Sequence, residues 1–401
     1  MLLKTQLNLQ KCALFFLICS FPYFAIRLSP LHLSLVHLAI GFCVLVSVVT
    51  LIFQKPKIQI TLFDKSIMIF LIVQCSYFIF HSADQGFMVL LKSSAYFFSY
   101  LAIRVCCAPL KKKDLHSIIL VSSISGIILF AVTSILGALF FAPSKENYSL
   151  DYSGITLTTY RSISNLFSSN HELQTYELLR STVVEGFVFY FIILLAWRPR
   201  QKILKKTIQA ASLLCILCMF SRRAILVTVL SAFFYAREKI RENPIRISGY
   251  FAALIIVVSL FVFRFSLNTH VADVNIDARL EQMKFVSSSS WLFGNGLGTK
   301  LAIDSVGGTE KYIHNFIFSN FFMMGLFGLL TSLFILLIVL KEYTINTFKK
   351  NHFTMTSLLV LPLISMMVSS TSEGIFSPVS WTALAVYFSY LQGQTNSRAQ
   401  C

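Results

Sequence analysis

A histidine and an asparagine stand together where a polar stretch of the chain re-enters an apolar run. They are His314 and Asn315, and Gly325 and Gly328 follow along the same run. A neutral imidazole accepts a proton near pH 7, so His314 suits the role of a base acting on an attacking hydroxyl. The Asn315 amide suits a hydrogen bond to a sugar hydroxyl or to the imidazole. The pattern predicts a proton-transfer group at a membrane surface, at the mouth of a helix whose glycines allow close packing.

Arginines indicate a second chemistry, the binding of phosphate. Arg222 and Arg223 lie together between two apolar runs, and a guanidinium fork matches phosphate oxygens in pairs. Arg180 begins another apolar run, with Glu185 little more than a turn farther on. Arg279 lies in a polar stretch and fits either phosphate contact or a solvated helix face. Headgroup contact is the alternative for the first pair, and a structural ion pair is the alternative for Arg180.

Other candidate sites give weaker signals. His171, beside Glu172, is the rival base. No pair of carboxylates points to glycoside hydrolysis, and no His-rich or Asp-x-Asp cluster points to a metal. We therefore predict no required metal and no cofactor. Cys215 and Cys218 form a Cys-x-x-Cys pair inside an apolar run without further ligands, so we interpret them as core residues.

The composition is that of a membrane protein. The chain has 401 residues, 56% hydrophobic and only 13% charged, with a mean hydropathy of +0.73. A soluble protein carries about 25% charged residues. The net charge of +17 does not indicate nucleic acid, because the lysines and arginines form short clusters between apolar runs and no basic stripe with interleaved aromatics. We predict an all-α, polytopic transmembrane bundle that forms a single integral membrane domain over residues 1–401.

The apolar runs predict about 12 spans, since about 20 residues cross a bilayer as a helix. Their approximate ranges are 12–28, 31–53, 66–82, 87–106, 117–141, 181–197, 207–220, 223–236, 247–265, 314–340, 354–370 and 379–392. Most of the 34 lysines and arginines fall in the short connections on one side. The positive-inside rule then puts both termini in the cytoplasm. Two long loops, 142–180 and 266–313, face the opposite, periplasmic side.

Three motifs together resemble a known family, the O-antigen polymerase and O-antigen ligase superfamily. The first is the glycine-rich run from Phe293 to Thr299, and the second is His314-Asn315 followed by Gly325-x-x-Gly328. The third is the run Ser221-Arg222-Arg223-Ala224, which is weak by itself. The resemblance covers roughly residues 210–340. The family usually has a threonine or small polar residue before Ser-Arg, where this chain has Phe220, so either arginine can be the matching one.

The resemblance implies a glycosyltransferase of the bacterial inner membrane, with its active site facing the periplasm. Its donor would be an oligosaccharide on undecaprenyl diphosphate, and the reaction would invert the anomeric centre without a metal. It implies that His314 is catalytic, with Asn315 binding the sugar. The substrate-binding arginines would be Arg180, Arg222, Arg223 and Arg279.

Three functions remain open at this level. The first is an O-antigen polymerase that joins lipid-linked repeat units, and the second is a ligase that transfers the glycan to lipid A core. A transporter or flippase of lipid-linked sugars belongs to another class, but it predicts internal repeats and charges within the spans. The candidate charges instead cluster at one surface. The expected partners are the lipid-linked oligosaccharide and the bilayer, with a chain-length regulator left open and no nucleic acid.

Overall fold

The computed structural model describes part of the chain in detail. The described residues are 2–21, 26–28, 33–56, 58–140, 149–152, 155–158, 177–196, 202–218, 224, 227–232, 290–303, 309–311, 315–346, 357–367 and 377–398. Within them the packed body of the molecule is helical, and the short strands lie in connections between helices. The all-helical class predicted from the sequence is therefore confirmed for the bundle.

Ten helices and six short strands are described. The helices are α1 (Leu2–Cys19), α2 (Leu35–Gln54), α3 (Leu62–Phe80), α4 (Gly86–Cys107), α5 (Lys112–Phe140), α6 (Glu177–Ala196), α7 (Lys202–Cys218), α8 (Phe316–Thr344), α9 (Val360–Met367, after a 3-10 turn at Ser357–Leu359) and α10 (Pro378–Arg398). The strands are β1 (Ile26–Leu28), β2 (Leu33–Ser34), β3 (Ser149–Tyr152), β4 (Ile155–Thr158), β5 (Leu301–Ile303) and β6 (Thr309–Lys311).

Five helical stretches in the described part are long and apolar enough to cross a membrane. They are Leu35–Gln54, Leu62–Phe80, Gly86–Cys107, Lys113–Val132 and Phe316–Thr344. Each overlaps a span predicted from the sequence. The total of about 12 spans remains a prediction, and the one at 247–265 lies outside the described residues.

The first predicted span, 12–28, has the wrong boundaries. The helix starts at Leu2 and ends at Cys19, and residues 26–28 form a strand instead. The helix extends into a polar region because its polar side chains find partners. Buried Gln10 donates from its amide nitrogen to the Thr50 hydroxyl at 2.8 Å and to the Gln54 side-chain oxygen at 3.1 Å.

Two connections that are far apart in sequence meet in one antiparallel sheet with strand order β2-β1-β4-β3. Strands β1 and β2 connect α1 to α2, and β3 and β4 belong to the predicted loop 142–180. Strand β1 pairs with β4 in the register Arg27 to Thr156. The sheet therefore holds these two connections at the same end of the bundle.

The helices pack as a bundle around aromatic side chains. Helix α1 packs on α2 and α5, α4 packs on α2 and α10, and α3 packs on α4 and α8. The buried ring of Phe63 lies 5.2 Å from that of Phe388 and 5.6 Å from that of Tyr100, measured between centroids. These contacts fasten the last helix to α3 and α4.

Candidate functional site

Helix α8, which begins directly after the predicted catalytic histidine, is not one straight span. Gly325 interrupts it with φ 57° and ψ −144°. A Cβ at Gly328 would overlap the backbone oxygen of Asn320. Residues eight apart in a continuous helix lie about 12 Å apart along its axis, so the chain folds back at Gly325. The span predicted over 314–340 is therefore present as an apolar helical stretch, Phe316–Thr344, that is interrupted at Gly325.

A glycine-rich segment, residues 290–300, supplies the hydrogen bonds that the break in α8 removes. The N–H of Asn295 donates to the Phe322 carbonyl at 2.9 Å, and the N–H of Gly296 donates to the Met323 carbonyl at 3.0 Å. In return, the N–H of Leu326 donates to the Trp291 carbonyl at 2.9 Å. Each such group left unpaired in a bilayer would cost several kcal/mol. We call this arrangement the capped break.

The same segment is joined to the turn between α3 and α4. The N–H of Leu297 donates to the His81 carbonyl at 3.0 Å, and the N–H of Ala83 donates to the Leu297 carbonyl at 2.8 Å. The Leu297 side chain is fully buried. The segment therefore holds the α3–α4 turn and the break of α8 side by side at one end of the bundle. We call this end the loop end.

The start of α8 lies beside the middle of α3. The Phe316 ring lies 5.7 Å from that of Phe70, which is near the middle of α3, whereas the break at Gly325 lies beside the end of α3. Asn315 therefore begins α8 beside the middle of α3. The position of Asn315 relative to the membrane surface stays a prediction from the sequence.

Asn315 is partly buried and caps α8. Its side-chain oxygen accepts from the N–H of Ile317 at 2.9 Å and from the N–H of Phe318 at 3.1 Å. An asparagine at this position satisfies donors that a helix start leaves free. The sequence assigned Asn315 to sugar binding and gave no sign of the cap, because the cap depends on where the helix begins.

The side chains of the other predicted site residues lie outside the described part of the chain. His314, Arg222, Arg223 and Arg279 lie outside the described residues, as does the rival His171. The backbone of Arg180 lies in the first turns of α6, but its side chain is outside the described part. Their convergence on one substrate therefore remains a prediction.

Glu185 has partners that the sequence did not reveal. Its buried carboxylate accepts a hydrogen bond from the hydroxyl of Ser377. The Ser377 and Ser380 hydroxyl oxygens are 3.2 Å apart, and those of Ser380 and Ser365 are 3.3 Å apart. These contacts link α6, α9 and α10 by a polar chain inside the bundle. Serines within apolar runs are the sequence signal that could have indicated it.

A buried ion pair lies at the end of the bundle opposite the loop end. Arg104 donates from Nη1 to Asp64 Oδ2 at 2.5 Å, and the Tyr100 hydroxyl donates to Asp64 Oδ1 at 2.7 Å. The second Arg104 nitrogen, Nη2, donates to the Gln59 carbonyl at 2.9 Å and to the Gln392 side-chain oxygen at 3.4 Å. From the sequence, Arg104 is one of the basic residues near the short connections, and the structure places it in the last turn of α4.

In the described part of the chain, no group of three or more His, Cys, Asp or Glu side chains is arranged to hold a metal ion. The comparisons with known proteins add no relative: the sequence matches no family model and no curated protein. The candidate site is therefore characterised by its own geometry, the capped break joined to the turn between α3 and α4.

Proposed function

We propose that this chain is an inner-membrane glycosyltransferase whose donor is a glycan on undecaprenyl diphosphate, and specifically an O-antigen polymerase. The reaction joins one lipid-linked repeat unit to another. An acceptor hydroxyl attacks the anomeric carbon, the bond from that carbon to the diphosphate oxygen breaks, and lipid diphosphate leaves.

One observation carries the proposal. The two motifs of the family resemblance that lie closest to the chemistry are separated in sequence but hydrogen-bonded in the structure. The N–H groups of Asn295 and Gly296, in the glycine-rich motif, donate to the carbonyls of Phe322 and Met323, which lie between Asn315 and Gly328. Because the two motifs form one hydrogen-bonded structure, a chain that has this structure needs both of them.

The proposed roles follow from the charges that develop. His314 takes the proton of the attacking hydroxyl and later releases it to water. One or more of the four candidate arginines neutralises the diphosphate as it leaves, where negative charge accumulates. The glycan faces the periplasm, because the positive-inside rule puts the opposite surface in the cytoplasm. The sheet and the capped break support this, since they gather connections at one end.

The test is the lipopolysaccharide ladder of the source strain with this gene deleted. We expect the deletion to leave lipid A core carrying one repeat unit. The intact gene should restore the long ladder, and His314→Ala should not. His352→Ala is the matched control, because that histidine lies in a connection predicted to be cytoplasmic, and it should restore the ladder fully.

Other outcomes would replace the proposal. Loss of every attached unit, with polymer accumulating on the lipid carrier, would identify a ligase. A deletion strain with an unchanged ladder would contradict both enzymes. Full restoration by His314→Ala, with normal membrane insertion, would remove that histidine from the mechanism.

A further inference from the structure

One face of the second half of α3 lies along the first part of α8 and the glycine-rich segment. Phe70, Gln74, Tyr77 and His81 follow each other at spacings of four, three and four, which places them on one helix face. The two ends of this face are fixed by contacts. Phe70 lies against Phe316, and the backbone carbonyl of His81 accepts from the glycine-rich segment. Gln74 and Tyr77, in between, therefore face the first part of α8 and that segment.

Within the described residues, the side-chain polar atoms of Gln74 and Tyr77 have no hydrogen-bond partner. Gln74 is fully buried, and neither its amide nitrogen nor its amide oxygen has a hydrogen-bond partner among the described residues. The buried hydroxyl of Tyr77 likewise has none there. Ser332 lies on the second part of α8, about one turn beyond Gly328. Its buried hydroxyl also has no hydrogen-bond partner in the part of the chain that the structure describes.

Such groups are rare in folded proteins and call for a reason. Most buried polar side chains have a partner, and the exceptions commonly face an unseen water or ligand. Within a membrane the cost of a missing partner is not relieved by bulk water. A fully buried, unpartnered amide one helix turn from the contact of Phe70 with Phe316 is therefore evidence of an occupant.

The chemistry of the face defines the occupant. An amide offers two donors and an acceptor, and a phenol offers one donor and an acceptor. Both groups are neutral, so they suit a neutral ligand that donates and accepts, which is a hydroxyl. A diphosphate would require cations, and Phe70, Gln74 and Tyr77 carry no charge. His81, at the end of the face, has its Nε2 3.5 Å from the Gly294 carbonyl oxygen, away from Gln74 by two helix turns.

We propose that Gln74 and Tyr77 form an internal binding site for the sugar hydroxyls of the substrate, between α3 and the first part of α8. This proposal rests on the proposed function, because the site would bind the glycan that is attached to the lipid carrier. Water is the other source of the same chemistry. The arrangement gives the enzyme a way to recognise the sugar apart from the diphosphate.

The test measures thermal unfolding of the purified full chain in nanodiscs with two probes. One is the undecaprenyl-diphosphate-linked repeat unit extracted from the source strain lacking this gene, and the other is undecaprenyl diphosphate. We expect the sugar-bearing lipid to raise the melting temperature further. Gln74→Leu should weaken binding of that lipid about tenfold, the loss expected for a hydrogen bond, and leave undecaprenyl diphosphate unaffected.

Tyr77→Phe removes only a hydroxyl and gives the test a variant that folds. It should lose part of the same sugar-dependent increment. Ser76→Ala is the matched control, because Ser76 is exposed on the same helix and donates to the Ile72 carbonyl. Its response to both lipids should equal that of the wild type.

Three results would overturn the proposal. Gln74→Leu could lower the melting temperature equally with and without lipid and keep the sugar increment, which would assign the site to water. Both variants could match the wild type in every condition, which would mean that nothing occupies the site. A wild-type chain that responds to neither lipid would contradict the proposed function itself.

Discussion

Arg104 shows how a single charged side chain can hold this bundle together. Its side chain is 1% exposed, and the side chain of its partner Asp64 is 7% exposed. Asp64 also caps α3, since its carboxylate accepts from the N–H and the hydroxyl of Thr61. The one pair therefore connects α3 and α4 and, through Gln392, α10. Removing either charge would leave the other enclosed without compensation.

We predict that Arg104→Met destabilises the protein by about 3–5 kcal/mol, the cost of stranding one charge of a buried pair. The measurement is the denaturant midpoint of the purified protein, or its melting temperature if unfolding is irreversible. Asp64→Asn should be similarly destabilising, because it leaves the Arg104 charge enclosed and replaces an accepting oxygen with an amide nitrogen that donates.

The chain provides its own control for this prediction. Lys11 and Asp114 form a salt bridge of 3.2 Å whose side chains are 32% and 34% exposed. Water screens such a pair, so Lys11→Met should cost about 1 kcal/mol or less. Equal losses from Lys11→Met and Arg104→Met would show that the buried pair contributes no more than an exposed one.

At the scale of secondary-structure elements, the capped break determines where the candidate site lies in the bundle. After the break, residues 326–344 form a stretch about 28 Å long, which is enough to cross a bilayer alone. Residues 316–324 are then free to fold back beside α3. The break thus turns one apolar run into a spanning helix and a short inner helix, and it sets Asn315 and the face of Gln74 at a similar depth.

We predict that Gly325→Ala and Gly294→Ala each destabilise the protein by on the order of 2 kcal/mol or more. Both residues have positive φ, of 57° and 70°. A Cβ on Gly325 would overlap the Leu292 carbonyl, and a Cβ on Gly294 would come within 2.5 Å of the Gly325 nitrogen. The measurement is the melting temperature, with the proposed activity followed in parallel.

Gly41 is the matched control for these two glycines. It lies in α2, and a Cβ added there would meet nothing within 4 Å. Gly41→Ala should leave stability unchanged or raise it by up to about 1 kcal/mol, because alanine favours helix more than glycine does. If all three substitutions behave alike, the capped break is not a rigid feature of the fold.

The element scale also shows what the sequence could and could not predict. Hydropathy located α2, α3 and α4 within a few residues, because twenty apolar residues in a row have few other stable conformations in a membrane. The break at Gly325 was missed because the apolar run continues through it. Its hydrogen bonds come from residues 290–297, and a local pattern cannot show that such a distant segment supplies them.

The site was predicted less completely for the same reason. The glycine-rich run and Asn315 were recognised as important from their residue types. Gln74 and Arg104 were not, because a lone glutamine or arginine in an apolar run becomes informative only when its neighbours in space are known. The role of each residue depends on tertiary contacts with other helices.

The whole molecule is organised by its two ends. At the loop end, the sheet of β1 to β4 joins two connections, and residues 290–300 join the α3–α4 turn to α8. At the opposite end lies the buried pair of Asp64 and Arg104. Five helical stretches of spanning length separate the two ends. In the proposed function, the glycan would therefore reach the capped break from the loop end.

This asymmetry leads to a topology prediction. In a background with the nine native cysteines replaced, single cysteines at Ser168 and Ser287 test the two long loops, and one at Thr347 tests a short basic connection. A membrane-impermeant maleimide applied to cells with a permeable outer membrane should label the first two and not the third. The third should be labelled only after the inner membrane is opened. Labelling of Thr347→Cys in intact cells, with protection of the other two, would place the loop end in the cytoplasm, where the proposed lipid-linked polymer is not assembled.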